Sequence, residues 1–84
     1  MPDKHLTINV LSPEGEVFSG DAASIFLPGR QFPFQVLPGH APIISTLGAG
    51  NIRIVSADGS ENVLKIKSGA AKVKNDMVTI CVEL

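Results

Sequence analysis

Tryptophan and tyrosine are missing from this chain, and four phenylalanines supply its whole aromatic content of 5%. A core built without large rings must rely on Val, Ile, Leu and Ala, which leaves little for stacking sugars or bases. An excess of either charge is missing too, since seven basic and eight acidic side chains leave a net charge of −1. That balance gives no long-range field for gathering nucleic acid or anionic lipid, so nucleic acid is not an expected partner. The single cysteine, Cys81, cannot close an internal disulfide, and with only two histidines elsewhere it cannot assemble a thiolate metal site. A reducing, cytosolic setting fits this usage. No apolar run approaches the ~20 residues of a membrane helix, and the start, Met-Pro-Asp-Lys-His, has no apolar signal core. Membrane association is therefore expected only through a partner.

What the chain does have is alternation. Leu6, Ile8 and Val10, then Leu64 and Ile66, then Val78, Ile80, Val82 and Leu84 recur with period two, with polar residues mostly between them, as in strands with one buried face. No window of a dozen residues carries a 3.6-residue stripe with caps, so essentially no helix is expected. Turn chemistry separates the strands. Ser12-Pro13-Glu14-Gly15 suits a type I turn that folds the first strand onto the second. Asp58-Gly59 predicts a hairpin between strands near 51–57 and 61–67. Asn75-Asp76, both tolerant of left-handed φ, predicts a second tight hairpin between 69–74 and 77–83. Gly20 and Gly69 fall inside strand-like stretches, where a bulge or a bend from one sheet to another is expected. Ile25, Phe26 and Leu27 are apolar on both parities, so that strand should have one side in the core and the other against a loop or a partner.

The whole of 1–84 reads as a single all-β domain, an antiparallel sandwich or a flattened barrel, between which strand count does not choose. At this length only ~60–65% of the unfolded chain's surface leaves water, so the margin of stability is modest.

Chemistry is scarce. His40 sits beside a turn and His5 near the N-terminus, and a metal site would need a further Asp or Glu ligand, so His40 is expected to pack on its turn and bond a backbone carbonyl. Cys81 lies between Ile80 and Val82 and should point away from the core if they face it. Gly48-Ala49-Gly50 is not followed by a helix that could hold a phosphate. Lys65, Lys67, Lys72 and Lys74 alternate along two segments and could line one face, although a solvated strand face is the plainer reading. Neither a cofactor nor a metal nor a catalytic constellation is expected; an enzyme using His40 with Asp21 or Asp76 is the weakest alternative.

Residues 27–43 stand apart. They hold two Leu-Pro-Gly units ten residues apart and four of the six prolines. Each Pro-Gly pair reads as a reverse turn, and the two bracket Phe32 to Val36, posing apolar side chains on a rigid surface loop. Phe32, Phe34 and Val36 are a lot of apolar surface to leave in water, and the competing expectation is that Phe34 turns inward. A free-standing sandwich that recognises a peptide or sugar through this loop is one function it could serve.

A more specific one comes from likeness. Ser12-Pro-Glu-Gly-Glu-Val-Phe-Ser-Gly20, Leu27-Pro-Gly29, Val36-Leu-Pro-Gly-His-Ala-Pro-Ile-Ile44, Gly50-Asn-Ile-Arg-Ile54, Ser68-Gly69 and Asn75 to Ile80, in this order and spacing, resemble the N-terminal domain of the epsilon subunit of F-type ATP synthase. The likeness spans nearly the whole chain. It implies a β-sandwich of about ten short strands rather than a barrel. It implies a non-catalytic rotor subunit of a proton-transporting enzyme, docking to the gamma subunit and to the polar loops of the c-ring, with catalysis on other subunits. The implied place is peripheral to the energy-converting membrane, at the cytoplasmic face of a bacterial inner membrane.

The family continues with a helical hairpin beyond the position where this sequence stops at Leu84, so that hairpin's inhibitory role is not carried over. Where the family tends to place glycines and acids, this chain has Arg30, Gln31, Phe32, Pro33 and Gln35. An apolar contact through Phe32 or Phe34 is the expected substitute for an acidic one. Ser68-Gly69-Ala70-Ala71-Lys72 also departs from the family's Ser-Gly-Gly, large apolar, acid pattern, which suggests a flatter, more basic strand surface. Arg30, Gln31, Phe32, Pro33, Phe34, Gln35, Pro38, Gly39 and His40 are the expected c-ring-facing residues, with proline and glycine setting shape and Phe32 and His40 making contact.

Overall fold

Alternating side chains sort the chain into two sheets in the computed structural model, which describes residues 4–84; the remainder of the start read above as lacking a signal core lies outside the described residues. Nine strands are formed among the described residues: β1 (Leu6–Ser12), β2 (Gly15–Ala22), β3 (Ser24–Leu27), β4 (Phe34–Val36), β5 (Ile43–Leu47), β6 (Gly50–Val55), β7 (Glu61–Ile66), β8 (Ser68–Lys74) and β9 (Met77–Glu83). There is no helix among the described residues. A five-stranded sheet in the order β2-β1-β9-β8-β5 packs on a four-stranded sheet in the order β4-β3-β6-β7, the sandwich that the sequence resemblance implies. All pairings are antiparallel but one: β1 and β9 run parallel, Ile8 opposite Val78.

The period of two decides which residues fill the space between the sheets. Leu6, Ile8 and Val10 of β1 and Val78, Ile80 and Val82 of β9 are buried, joined by Ile25, Leu27, Ile52, Ile54 and Val73. The buried hydrophobics of the described residues are all Val, Ile, Leu or Ala, as the shortage of aromatics requires. Each fully buried Leu, Ile or Val of this set contributes about 1.5–3 kcal/mol of transfer free energy.

Turns form where local chemistry demands them. Pro13-Glu14 closes β1 onto β2 with Ser12 opposite Gly15, and a bulge follows between Val10 and Leu11. Asn75 and Asp76, at φ 53° and 61°, make the tight β8–β9 hairpin. The β6–β7 connection is longer than two residues, because Ser56 N–H donates to Ser60 O across 56–60, with Gly59 N–H returning to Ser56 O. Asp58 closes this loop, its Oδ1 accepting from Ser60 N–H at 2.9 Å and Ser60 Oγ at 2.7 Å. The Ser60 hydroxyl and, next, its backbone N–H hold the Asp58 carboxyl below its ordinary value.

Several expectations change in three dimensions. Gly20 pairs regularly with Ile8 and is neither bulge nor bend. Gly69 instead lets the β9 backbone approach, since a Cβ there would fall 2.6 Å from Cys81 O, just after the chain has crossed from one sheet to the other. The lysines do not share a face: Lys65 is on β7 of one sheet and Lys72 and Lys74 on β8 of the other, all exposed. Phe26, on the outward parity of β3, is covered by Arg53, whose guanidinium lies 4.2 Å from the ring centroid. Cys81 is exposed.

Candidate docking site

β4 and β5 each form one edge of their sheets, the other edges being β7 and β2, and are joined by residues 37–42, so this connection and the 28–33 loop together dress one open side of the sandwich. The loop is fastened to β5. Arg30 N–H donates to Thr46 O at 3.0 Å, Gly48 N–H donates to Pro28 O at 2.8 Å, and Gly29 bridges to Leu47. These bonds occupy part of an otherwise open ladder, one of the ways sheets avoid pairing with other chains.

The two Pro-Gly units differ. Leu37-Pro38-Gly39-His40 is the expected reverse turn, with His40 N–H donating to Leu37 O at 3.1 Å and Gly39 at φ 86°, the type II position that favours glycine. Pro28-Gly29 turns in another way: Gly29 N–H donates to Leu27 O at 3.0 Å, closing a three-residue γ-turn rather than a type II turn, and its φ is not positive. Glycine is required there by crowding, because a Cβ would lie 2.3 Å from Phe32 O and 2.9 Å from Phe34 Cδ1.

The candidate residues divide accordingly. Arg30, Gln31, Phe32, Phe34 and His40 come together around a cleft of about 490 Å³ whose other wall is β5, including Ile43 and Ile44. Phe32 is 67% exposed on its rim. Phe34 opens β4 and packs against the core, half-buried, so it serves the fold as well as the cleft. Val36 is wholly buried and contributes no apolar loop surface, since β4's pairing with Ile25 turns it inward. Pro33 and Gln35 are exposed but do not line the cleft, nor do Pro38 and Gly39, which shape the turn. His40 Nδ1 donates to Ala41 O at 2.7 Å, the carbonyl contact expected from sequence. Asp76 binds Gly39 N–H at 2.7 Å, and Asp21 lies 3.8 Å from His5, so neither acid meets His40 as a catalytic partner would. No group of three or more His, Cys, Asp or Glu among the described residues could hold a metal.

The residue that sequence reasoning missed is Ile44, 79% exposed and facing the same cleft. Its signal was the pair Ile43-Ile44, apolar on both parities of a strand that can bury only one. What this arrangement offers is a surface: an apolar rim of Phe32 and Ile44 on a backbone held by prolines and by bonds to β5.

A family model described as the ATP synthase delta/epsilon chain β-sandwich domain matches residues 5–84. The chain belongs to that family. The sequence is 38% identical over 76 residues to the ATP synthase epsilon chain of Campylobacter hominis, covering 89% of this chain and 58% of the relative. It is 35% identical over 81 residues to the epsilon chain of Chlorobaculum tepidum, covering 96% and 92%. The chain thus spans only about three-fifths of the first relative's length but nearly all of the second's. Its fold matches a chain in the cryo-EM structure of the Euglena gracilis mitochondrial ATP synthase, OSCP/F1/c-ring, with a TM-score of 0.89 at 18% identity, over 95% of this chain and 51% of that one. A chain of the Tetrahymena thermophila mitochondrial ATP synthase central stalk and c-ring matches with a TM-score of 0.79 at 12% identity, over 100% and 67%. Membership of the delta/epsilon family weighs against a free-standing peptide- or sugar-binding module.

Proposed function

We propose that this chain is the sandwich unit of a central-stalk subunit in a proton-transporting F-type ATP synthase, docking to gamma and to the polar loops of the c-ring and turning with them. It carries torque and coupling rather than chemistry, and catalysis belongs to other subunits. The observation that carries the reading is the rim of the edge cleft, where Phe32 and Ile44 stand 67% and 79% exposed beside a loop whose backbone is already fixed. Exposed apolar groups on a fixed frame mark an interaction surface, and a pre-ordered loop loses little entropy on docking. A rotor element also has to be stiff, since a compliant one would store torque as strain. Relatives named ATP synthase epsilon chain, and structural neighbours from F1/c-ring and central-stalk assemblies, support the same role.

Arg30, Gln31, Phe32, Pro33, Phe34, Gln35, Pro38, Gly39 and His40 form the c-ring-facing surface in this proposal, with Phe32 as the central contact and Ile44 added to it. The site of action is peripheral to the energy-converting membrane, and the bacterial relatives fit the cytoplasmic face of an inner membrane. No helix of the described residues is long and apolar enough to cross one. The test is reassembly. Phe32→Ser and Ile44→Ser together should leave the fold intact while lowering retention of the chain by gamma and c subunits and uncoupling ATP hydrolysis from proton pumping. Full retention and full coupling with both substitutions in place would refute the docking surface.

A further inference from the structure

The β8–β9 hairpin carries a residue that its own geometry does not favour. A two-residue turn with positive φ at both positions takes Asn-Gly most readily, because the second position accepts glycine without a Cβ penalty. Here the pair is Asn75-Asp76, and Asp76 holds φ 61°. Its side chain is not idle: Oδ1 accepts from Gly39 N–H at 2.7 Å, across 37 residues of sequence.

Gly39 needs such a partner. In the Leu37-Pro38-Gly39-His40 turn the closing bond is His40 N–H to Leu37 O, so the N–H of Gly39 has no acceptor within the turn. Asp76 itself cannot drift, because its carbonyl accepts from Thr7 N–H at 2.9 Å, tying the hairpin to the start of β1. One residue thus joins three segments at one corner of the sandwich. Among the described residues, the contact to Gly39 is the hydrogen bond that fastens 37–42, which carries His40 to the cleft, onto the five-stranded sheet.

We propose that Asp76 is a positioning residue, an acceptor that sets the angle of the 37–40 turn and so the position of His40 against Phe32 and Ile44. A hydrogen bond to a carboxylate is short and strong compared with a neutral one, which suits a latch at the sandwich surface. The inference rests on the docking role for its functional consequence but not for its geometry.

Two substitutions separate the acceptor from the turn. Asp76→Gly keeps positive φ and removes the acceptor; Asp76→Asn keeps an oxygen at the same place. Amide hydrogen exchange on the purified chain should show the Gly39 N–H exchanging about tenfold faster or more in Asp76→Gly, with most of its protection restored in Asp76→Asn. The Thr7 amide, bonded to the backbone of residue 76, should be unchanged in both. Unaltered Gly39 exchange in Asp76→Gly would overturn the proposal, and so would joint loss of protection at Gly39, Thr7 and Met77, which would mean that the hairpin had unravelled. In reassembled ATP synthase the glycine variant should bind gamma and c subunits more weakly than the asparagine variant. Equal, full binding of both would overturn the link to docking. Failure of the parent chain to bind at all would instead count against the docking role, while the exchange measurement still decides the latch.

Discussion

Replacing Gly29 by alanine tests the crowded base of the 28–33 loop directly. The new methyl would sit 2.3 Å from Phe32 O and 2.9 Å from Phe34 Cδ1, and the first of these is backbone, which cannot swing aside as a side-chain tip can. Relief requires either moving the loop, which strains the bonds of Arg30 and Gly48 to their partners, or displacing Phe34 from the core. Forced overpacking of this kind costs about 1–3 kcal/mol, and a backbone clash belongs in the upper half, at about 2–3 kcal/mol. For a domain of this size that lowers the melting temperature by roughly 8–24 °C. The control is Gly48→Ala in the same corner, where the nearest atom to a new Cβ is 3.7 Å away and φ is not positive, so stability should hold or rise by a few tenths of a kcal/mol. Urea and thermal unfolding of the three proteins reads both effects. A Gly29→Ala protein within about 0.5 kcal/mol of its parent would refute the crowding argument, since that is the range of an unremarkable surface change.

Other expectations use other parts of the molecule. Ile80→Ala removes a wholly buried side chain from the centre of the five-stranded sheet and should cost about 2–5 kcal/mol by denaturant unfolding. Phe32→Ser should change stability by no more than about 0.5 kcal/mol because the ring is mostly in water, so any loss of assembly with gamma and c subunits reports contact rather than unfolding. The Asp58 carboxyl, held below its ordinary 3.8 by Ser60, contributes stability that is present above that value and lost as pH falls through its lower folded value. NMR titration should find the Asp58 pKa below 3.8, and Ser60→Ala should raise it; an unmoved value in Ser60→Ala would refute the assignment of cause.

Much of this was legible from neighbours in sequence. The inward parity of Leu6, Ile8 and Val10, the Asn75-Asp76 hairpin, the Leu37–His40 turn and the carbonyl contact of His40 all depend on residues within a few positions of one another. The resemblance supplied what spacing could not, the choice of a sandwich over a barrel. Errors arose where the deciding atoms were distant in the chain. Pro28-Gly29 has the sequence of a type II turn, yet with its neighbours bonded to β5 and the Phe34 ring packed on it, it closes as a three-residue turn instead. Val36 reads as loop surface until β4 pairs with β3, and which of Ile43 and Ile44 faces outward is decided only when β5 pairs with β8, Ile44 falling opposite the exposed Lys72.

By itself, then, the sequence determined an aliphatic all-β domain, essentially without helix, and most of its turns, because strand parity and turn preference are properties of adjacent residues. Which strands share a sheet, and therefore what lies on each surface, was decided only by the tertiary structure. The chain crosses between sheets near Ala23, after Val36, near Gly48 and near Lys67, sending Lys65 and Lys72 to different sheets and running β1 parallel to β9. The edge cleft and the Asp76–Gly39 contact come from those crossings, for they join segments whose proximity is set by burying the common core and not by any local preference.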